Sequence, residues 1–261
     1  THASHFNSKM QKEIHAHYIQ NSVLIEEGDL HSICSLAKKY SIAIYLGAIE
    51  RAKDRGGHSL YCSLVYIDQK GEIRSVHRKL QPTYEERLAW SPGDGNGLKV
   101  HSLDAFQIGG LNCWENWMPL SRTALYAQGE NLHVAVWPGT DKNTQDITSF
   151  IAKESRSYVL SVSGLMRTED IPKDFPFRSE IINSFDPIIA NGGSCIAGPD
   201  GEWIVSPRVN TEELITANLD INRVYEERQN FDPSGHYSRP DVTQLSINRE
   251  RQSIIQFKEN T

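Results

Sequence analysis

Long hydrophobic runs are missing from this sequence. No stretch approaches the roughly 20 apolar residues that a membrane-spanning helix needs, and the first six residues, Thr-His-Ala-Ser-His-Phe, lack the basic-then-apolar order of a secretion signal. We therefore expect a protein without a membrane partner, located in the cytoplasm by default.

Excess positive charge is missing as well. The formal net charge is -6, and no basic run is interleaved with aromatic residues, which disfavours binding to nucleic acid or to an anionic membrane. Biased tracts, internal repeats and linkers are also missing, and 38% of the residues are hydrophobic, enough for a sizeable core. The sequence predicts one domain over residues 1–261 with a small-molecule partner.

Closely spaced cysteines are a further absence. The four cysteines, Cys34, Cys62, Cys113 and Cys195, form no C-x-x-C pair, which argues against a zinc site or a disulfide framework. No metal and no cofactor is indicated. Three of them lie in apolar or small-residue runs, where a cysteine is usually an inert, buried hydrophobe. Cys113 is the exception.

Helix-type and strand-type patterns alternate along the chain. Apolar residues at helical spacing, or short β-branched runs bounded by turn residues, define these elements. We predict helices at 6–18, 30–40, 119–128, 144–158 and 221–228, the last capped by Asp220; strands at 41–47 (buried on both faces), 106–112, 133–137, 159–163 and 214–219; and hairpins at 59–77 and 194–205. The pattern is typical of an α/β fold.

Cys113 follows the predicted strand 106–112 and precedes a helix. Ligand sites of α/β sheets gather at this end of a strand, where backbone amides can bind an oxyanion. A nucleophilic thiol also needs a nearby cation or base. Lys79, at the end of the second strand of the first hairpin, is the candidate cation, although a strand-end lysine is by itself more often a solvated surface charge.

Four segments carry a resemblance to a known family. They are His77-Arg-Lys-Leu-Gln-Pro-Thr-Tyr-Glu-Glu-Arg-Leu-Ala-Trp90, Asn112-Cys-Trp-Glu-Asn116, Trp137-Pro-Gly139 and Asp232-Pro-Ser-Gly-His-Tyr-Ser-Arg-Pro-Asp241. In this order they resemble the true nitrilase branch of the nitrilase superfamily, over nearly the whole chain.

The resemblance implies a four-layer αββα sandwich with a Glu-Lys-Cys triad and a second, supporting glutamate. Matched residue by residue, Lys79 takes the lysine position, Cys113 the nucleophile and Glu86 the second glutamate. The triad's first glutamate lies in a Pro-Glu element in this family, and the sequence contains no Pro-Glu dipeptide. We therefore expect the chain to lack the family's first strand-helix-strand.

The resemblance further implies hydrolysis of an organic nitrile to a carboxylic acid and ammonia, through a covalent thioimidate and thioester on the cysteine. Trp90, Trp114 and Trp137 match aromatic pocket positions, although core packing accounts for most tryptophans, and Glu115 fits a pocket or a structural role equally. A homo-oligomer, a dimer or a spiral, is expected. An amidase of the same superfamily, or an impaired homologue without the first glutamate, are the alternatives.

Overall fold

Two compact units make up the structure, a computed structural model that describes residues 8–255 of the chain. We call residues 8–97 with 247–255 the N-terminal unit and residues 98–246 the central unit. Both combine helices with a β-sheet, so the predicted α/β class is confirmed. The single domain expected over residues 1–261 stays a prediction. No helix within the described residues is long and apolar enough to cross a membrane.

The N-terminal unit contains a three-stranded antiparallel sheet. Its elements are α1 (Lys9–Gln20), α2 (His31–Tyr40), β1 (Ile44–Arg51), β2 (Leu60–Ile67) and β3 (Ile73–Arg78). The strand order is β1-β2-β3, and the first predicted hairpin is confirmed as β2 and β3. The first helix lies two to three residues later than predicted, and Phe6, where the prediction began, lies outside the described residues.

The helix α2 supplies much of this unit's core. Leu30, its N-cap residue, and Ile33 and Ala37 recur at three- and four-residue spacing and pack with Val65 of β2. Gly71, in the β2–β3 turn, has a φ of 78°, and a Cβ there would collide with the backbone carbonyl oxygen of α2 at Cys34. Glycine therefore lets the hairpin turn approach the helix closely.

The strand predicted at 41–47 begins later than expected. Ser41 is in the left-handed conformation, with a φ of 49°, and its backbone N–H donates to the carbonyl of Lys38. This C-cap ends α2 and delays the start of β1 until Ile44. The prediction of burial on both faces is also wrong, because β1 is an edge strand in which only Glu50 is buried.

The central unit is built on a larger mixed sheet. Its strands are β4 (His101–Leu103), β5 (Phe106–Asn112), β6 (Leu132–Trp137), β7 (Tyr158–Ser163), β8 (Leu165–Arg167), β9 (Ile188–Ala197) and β10 (Trp203–Val209). The order is β10-β9-β7-β6-β5-β4, with β8 paired to β9. β5, β6 and β7 are parallel, and β4, β9 and β10 pair antiparallel with their neighbours. The second predicted hairpin is confirmed as β9 and β10.

Helices of the central unit connect and cover the parallel strands. They are α3 (Pro119–Tyr126), α4 (Asp141–Ser155), α5 (Arg178–Ile182) and α6 (Ile221–Arg228). Ile147 and Ile151 of α4 pack against Ala135 and Val159 of the sheet. The Asp220 side chain accepts a hydrogen bond from the Asn222 N–H at 2.9 Å, which confirms the predicted N-cap of α6.

The strand predicted at 214–219 does not form. Residues 211–220 carry no helix or strand assignment, although partly buried and exposed residues alternate from Leu214 to Asp220. Leu214 is 90% exposed. The period-two pattern therefore marks an extended segment with one face towards the protein, and the prediction of a strand is wrong.

Candidate active site

Cys113 is the first residue after β5 and has unusual backbone geometry. Its φ is 55°, in the left-handed region, which costs a non-glycine residue roughly 1–2 kcal/mol. It starts a short 3-10 turn, Cys113–Trp117, and is 6% exposed. Strained residues of this kind persist only where their surroundings hold them, and they cluster at functional sites.

The Glu115 side chain bonds the backbone at the start of this turn. Its Oε2 accepts a hydrogen bond from the Asn112 backbone N–H at 3.0 Å, and the residue is 1% exposed. A buried carboxylate that bonds the residue before the cysteine shapes the turn directly. Of the two roles left open by the sequence, this contact favours the structural one.

Asn116 ties the two ends of the same turn together. Its Nδ2 donates to the carbonyl oxygens of Leu111, at 3.2 Å, and of Cys113, at 2.8 Å. Its Oδ1 lies 2.8 Å from Nε2 of His133, whose Nδ1 lies 2.9 Å from Oε1 of Glu130. Asn116, His133 and Glu130 are each 0% exposed. We call these three residues the buried polar chain; none of them is among the site residues predicted from the sequence.

Arg122 holds the turn from the next helix. Its Nη1 donates to the backbone carbonyl oxygen of Asn116 at 2.8 Å, and its Nε donates to Glu154 Oε2 at 2.7 Å. Tyr126 donates its hydroxyl to the same Glu154 oxygen at 2.9 Å. Burial and the Glu154 carboxylate raise the pKa of Tyr126, so its hydroxyl stays a donor. Helix α3 is thereby linked to the cysteine turn.

Lys79 and Glu86 form an ion pair in the N-terminal unit. Lys79 directly follows β3 and is 1% exposed, so the interpretation as a solvated surface charge is wrong. Its Nζ donates to Glu86 Oε2 at 2.5 Å and to Thr83 Oγ1 at 3.1 Å. The same Glu86 oxygen accepts the Thr83 backbone N–H at 2.6 Å. The ammonium is therefore held in a fixed position with its charge compensated.

Arg78, the residue before Lys79, is buried and forms ion pairs with two carboxylates. The Arg78 guanidinium contacts Glu50 at 2.6 Å and Asp54 at 2.9 Å, and lies 4.4 Å from the ring centre of Tyr61. Burial acts to raise the pKa of Asp54, but hydrogen bonds from Arg78 and its positive charge outweigh this and lower it. These contacts anchor the end of β3, and with it the backbone of Lys79.

The three candidate pocket tryptophans have different environments. Trp90, in the N-terminal unit, is partly buried and donates its Nε1–H to the Tyr18 hydroxyl at 3.0 Å. In the central unit, Trp114 is 50% exposed beside Trp117, and Trp137 is 4% exposed in the apolar cluster that includes Cys113. Trp114 is therefore available to a ligand, whereas Trp137 also serves as core.

The predicted site residues fall into two sets. Lys79, Glu86 and Trp90 belong to the N-terminal unit; the central unit contains Cys113, Trp114, Glu115 and Trp137. Within residues 8–255, no group of three or more His, Cys, Asp or Glu side chains could hold a metal ion.

Cys34 and Cys195 have surroundings that suppress thiolate formation. Cys195 is 1% exposed, its thiol lies 3.6 Å from Thr148 Oγ1, and burial raises its pKa. Burial also raises the pKa of Cys34. Because the thiolate is the reactive form, neither cysteine is a good nucleophile.

Comparison with known proteins gives consistent results. A family model described as carbon-nitrogen hydrolase matches residues 12–229. The chain is 34% identical to Nitrilase 2 of an unknown prokaryotic organism over 97% of this chain and 78% of that protein. It is 33% identical to the bifunctional nitrilase/nitrile hydratase NIT4B of Nicotiana tabacum over 94% of this chain and 70% of that protein.

A solved structure shares the fold. The carbon-nitrogen hydrolase of Helicobacter pylori G27 superimposes with a TM-score of 0.64 at 21% identity, and the match covers 82% of this chain and 74% of that one. This likeness is consistent with the sandwich fold that the sequence resemblance implied.

Proposed function

Because the chain belongs to the carbon-nitrogen hydrolase family, and within it to the nitrilase branch, we propose that it hydrolyses an organic nitrile to a carboxylic acid and ammonia. The observation that carries this proposal is the left-handed Cys113 at the end of a parallel strand. A buried turn that fixes a thiol at the carboxyl edge of a sheet is suited to nucleophilic attack.

The reaction has two covalent stages. The Cys113 sulfur attacks the nitrile carbon as a thiolate, and the proton that the thiol has lost ends on the nitrogen, which gives a thioimidate. Water adds to the thioimidate carbon, and ammonia leaves to give a thioester. A second water then releases the acid and regenerates the thiol. Such covalent catalysis divides one difficult hydrolysis into easier steps.

We propose that the Lys79 ammonium stabilises the negative charge that develops on the substrate nitrogen and oxygen. Its burial and its bonds to Glu86 and Thr83 support this role, since a preorganised donor costs little reorganisation during the reaction. Glu86 positions the ammonium and relays protons. Losing one such donor costs about 3 kcal/mol of transition-state stabilisation, so Lys79→Ala should lower kcat by on the order of 10²-fold.

The aromatic residues support a slim apolar substrate. We propose that Trp90, Trp114 and Trp137 contribute pocket walls, because indole rings offer large apolar faces to a weakly polar group. Whether an aliphatic, arylacetyl or aromatic nitrile fits depends on hydrophobic contacts worth roughly 1 to 3 kcal/mol.

The thiol proton needs an acceptor before attack. In the family pattern this is the glutamate of a Pro-Glu element, and the 261 residues contain no Pro-Glu dipeptide. The test must therefore measure covalent capture and turnover separately.

The experiment incubates the purified full chain with butyronitrile, 3-phenylpropionitrile and benzonitrile, and with the three matching amides. Ammonia, acid and amide are quantified, and intact mass spectrometry detects an adduct on Cys113. We expect ammonia from at least one nitrile, loss of both signals in Cys113→Ala, and retention of both in the matched control Cys195→Ala.

The other outcomes identify the alternatives. Faster ammonia release from an amide than from its nitrile makes the protein an amidase. An adduct without ammonia shows an impaired homologue that captures substrate. If no substrate gives an adduct or ammonia, the assignment of Cys113 as the nucleophile is contradicted. Self-association stays a prediction from the resemblance, which analytical ultracentrifugation of the same preparation tests.

A further inference from the structure

The turn that carries Cys113 has a buried support that the proposed mechanism does not use. The left-handed backbone of Cys113 is unfavourable for a cysteine, so other contacts must hold it. The buried polar chain of Asn116, His133 and Glu130 lies within the central unit, and its first member bonds this backbone directly.

The orientation of the Asn116 amide follows from its partners. Nδ2 bonds two carbonyl oxygens, which only accept hydrogen bonds, so this atom is the NH₂ group. The opposite atom, Oδ1, is therefore the one that faces His133, and His133 Nε2 must carry a proton to donate to it. The histidine thereby prevents the amide from rotating by 180°.

Glu130 in turn fixes the imidazole. Its Oε1 lies 2.9 Å from His133 Nδ1, and a hydrogen bond at this distance requires one proton between the two atoms. Gly109 of β5 provides the space, because a Cβ there would collide with Glu130 Oε1. A ring bonded at both nitrogens has a single orientation.

The orientation of the Asn116 amide also determines that of the peptide bond between Cys113 and Trp114. Cys113 O, which accepts from Asn116, belongs to the same planar peptide unit as the Trp114 N–H. Fixing the direction of this carbonyl also fixes the direction of the N–H. Backbone N–H groups beside a nucleophile are donors for the oxyanion that forms during attack.

We propose that Asn116 is a positioning residue for the nucleophile, and that His133 and Glu130 act through it by fixing its amide. The inference rests on the proposed function, in which Cys113 is the nucleophile. Neither Asn116 nor His133 is assigned contact with the substrate.

Two substitutions at position 133 each keep a donor at one of the two imidazole nitrogen positions. Together they distinguish positioning of Asn116 from a general effect on protein stability. Asparagine carries its N–H where the imidazole has Nδ1, so His133→Asn keeps a partner for Glu130 and removes the donor to Asn116. Glutamine carries its N–H where the imidazole has Nε2, so His133→Gln keeps that donor. Both variants bury one amide. Asn116→Asp removes the Nδ2 donor itself.

The control is Tyr158→Phe, in the same unit. The Tyr158 hydroxyl donates to the Asp220 carbonyl oxygen at 2.9 Å and accepts from the Asp220 N–H at 3.2 Å, so both bonds join it to the N-cap of α6 rather than to the cysteine turn. The change removes two partly buried hydrogen bonds and otherwise keeps the shape of the side chain. The control therefore measures how far loss of a polar contact elsewhere in the central unit changes kcat and hydrogen exchange.

Two measurements are made on each full-length variant. One is kcat and KM for ammonia release from the best nitrile. The other is hydrogen exchange, by mass spectrometry, of peptides covering residues 111–118 and 158–163. We expect His133→Asn and Asn116→Asp to lower kcat at least tenfold with KM within twofold, and to speed exchange about tenfold in 111–118 alone. His133→Gln should stay within threefold of the unmodified chain.

The proposal is overturned if His133→Asn and His133→Gln behave alike, or if exchange rises equally in both peptides. It is also overturned if Tyr158→Phe lowers kcat as much as His133→Asn. Should Asn116→Asp not fold, the two position-133 variants decide. Turnover that survives in Cys113→Ala would refute the proposed function, whereas the exchange result requires no turnover and tests the positioning role alone.

Discussion

Glu86→Gln should destabilise the protein far more than loss of an ordinary surface charge. Glutamine keeps the shape and an acceptor oxygen, but it leaves the ammonium of Lys79, which is 1% exposed, without a carboxylate. Removing one partner of a buried ion pair costs about 3–5 kcal/mol. Because the Glu86 side chain is 27% exposed, water offsets part of this, and we expect about 3 kcal/mol.

The assay is equilibrium urea unfolding at pH 7, with thermal unfolding as a second measure. A loss of about 3 kcal/mol corresponds to a fall in Tm of about 6–12 °C for a chain of this size. The matched control is Glu72→Gln, which breaks the pair with Arg74. That pair is 60% and 54% exposed, and exposed pairs contribute about 1 kcal/mol or less.

A double-mutant cycle identifies the partner. In Lys79→Met/Glu86→Gln no charge is left unpaired, so the double variant should be more stable than the sum of the single effects predicts by about 1–3 kcal/mol. If Glu86→Gln costs no more than Glu72→Gln, or if the two changes are additive, Glu86 does not hold the ammonium and its assigned role is wrong.

Three further predictions concern other parts of the molecule. Burial raises the pKa of Tyr18 from 10.0 to about 12; its contribution to stability is thus complete below pH 10 and is lost as the pH rises through about 12, and Tyr18→Phe should flatten the fall in Tm over this window. Iodoacetamide at pH 7.5 should label Cys113 before Cys195, whose pKa is raised by burial; the reverse order by peptide mass spectrometry would contradict the choice of nucleophile. Gly97→Ala should cost about 1–3 kcal/mol in urea unfolding, because its Cβ would collide with the backbone of His77; an unchanged midpoint would show that this contact relaxes freely.

Local signals in the sequence located most of the elements around the candidate site. The bounds of β5, Phe106–Asn112, agree with the prediction, and so does the Asp220 cap of α6. A strand bounded by turn residues and a cap that bonds its own helix are encoded within a few neighbouring residues. Such features do not depend on the rest of the fold.

Features that depend on partners outside the helix or strand itself were not predictable in the same way. The alternation at 214–219 shows that one side of the segment faces the protein, but it does not reveal whether a neighbouring strand is available. Burial of Lys79 depends on Glu86 and Thr83, which come from the loop after the strand. Strand-end position alone therefore gave the wrong environment.

The buried polar chain illustrates a signal that was present but unused. His133 is the one charged or titratable residue within β6, Leu132–Trp137, and Glu130 lies just before that strand. A polar ring inside an apolar strand requires a buried partner. The sequence could not identify Asn116 as that partner, because 17 positions separate it from His133.

The absence of a side chain at Gly109 limits which amino-acid substitutions this region can accept. The site next to it is filled by the Glu130 carboxylate, so the two positions share one volume. A library that randomises residue 109 alone should return glycine. One that randomises 109 and 130 together should recover larger residues at the first position only alongside shorter ones at the second, so a stepwise route has to shorten residue 130 before it enlarges residue 109.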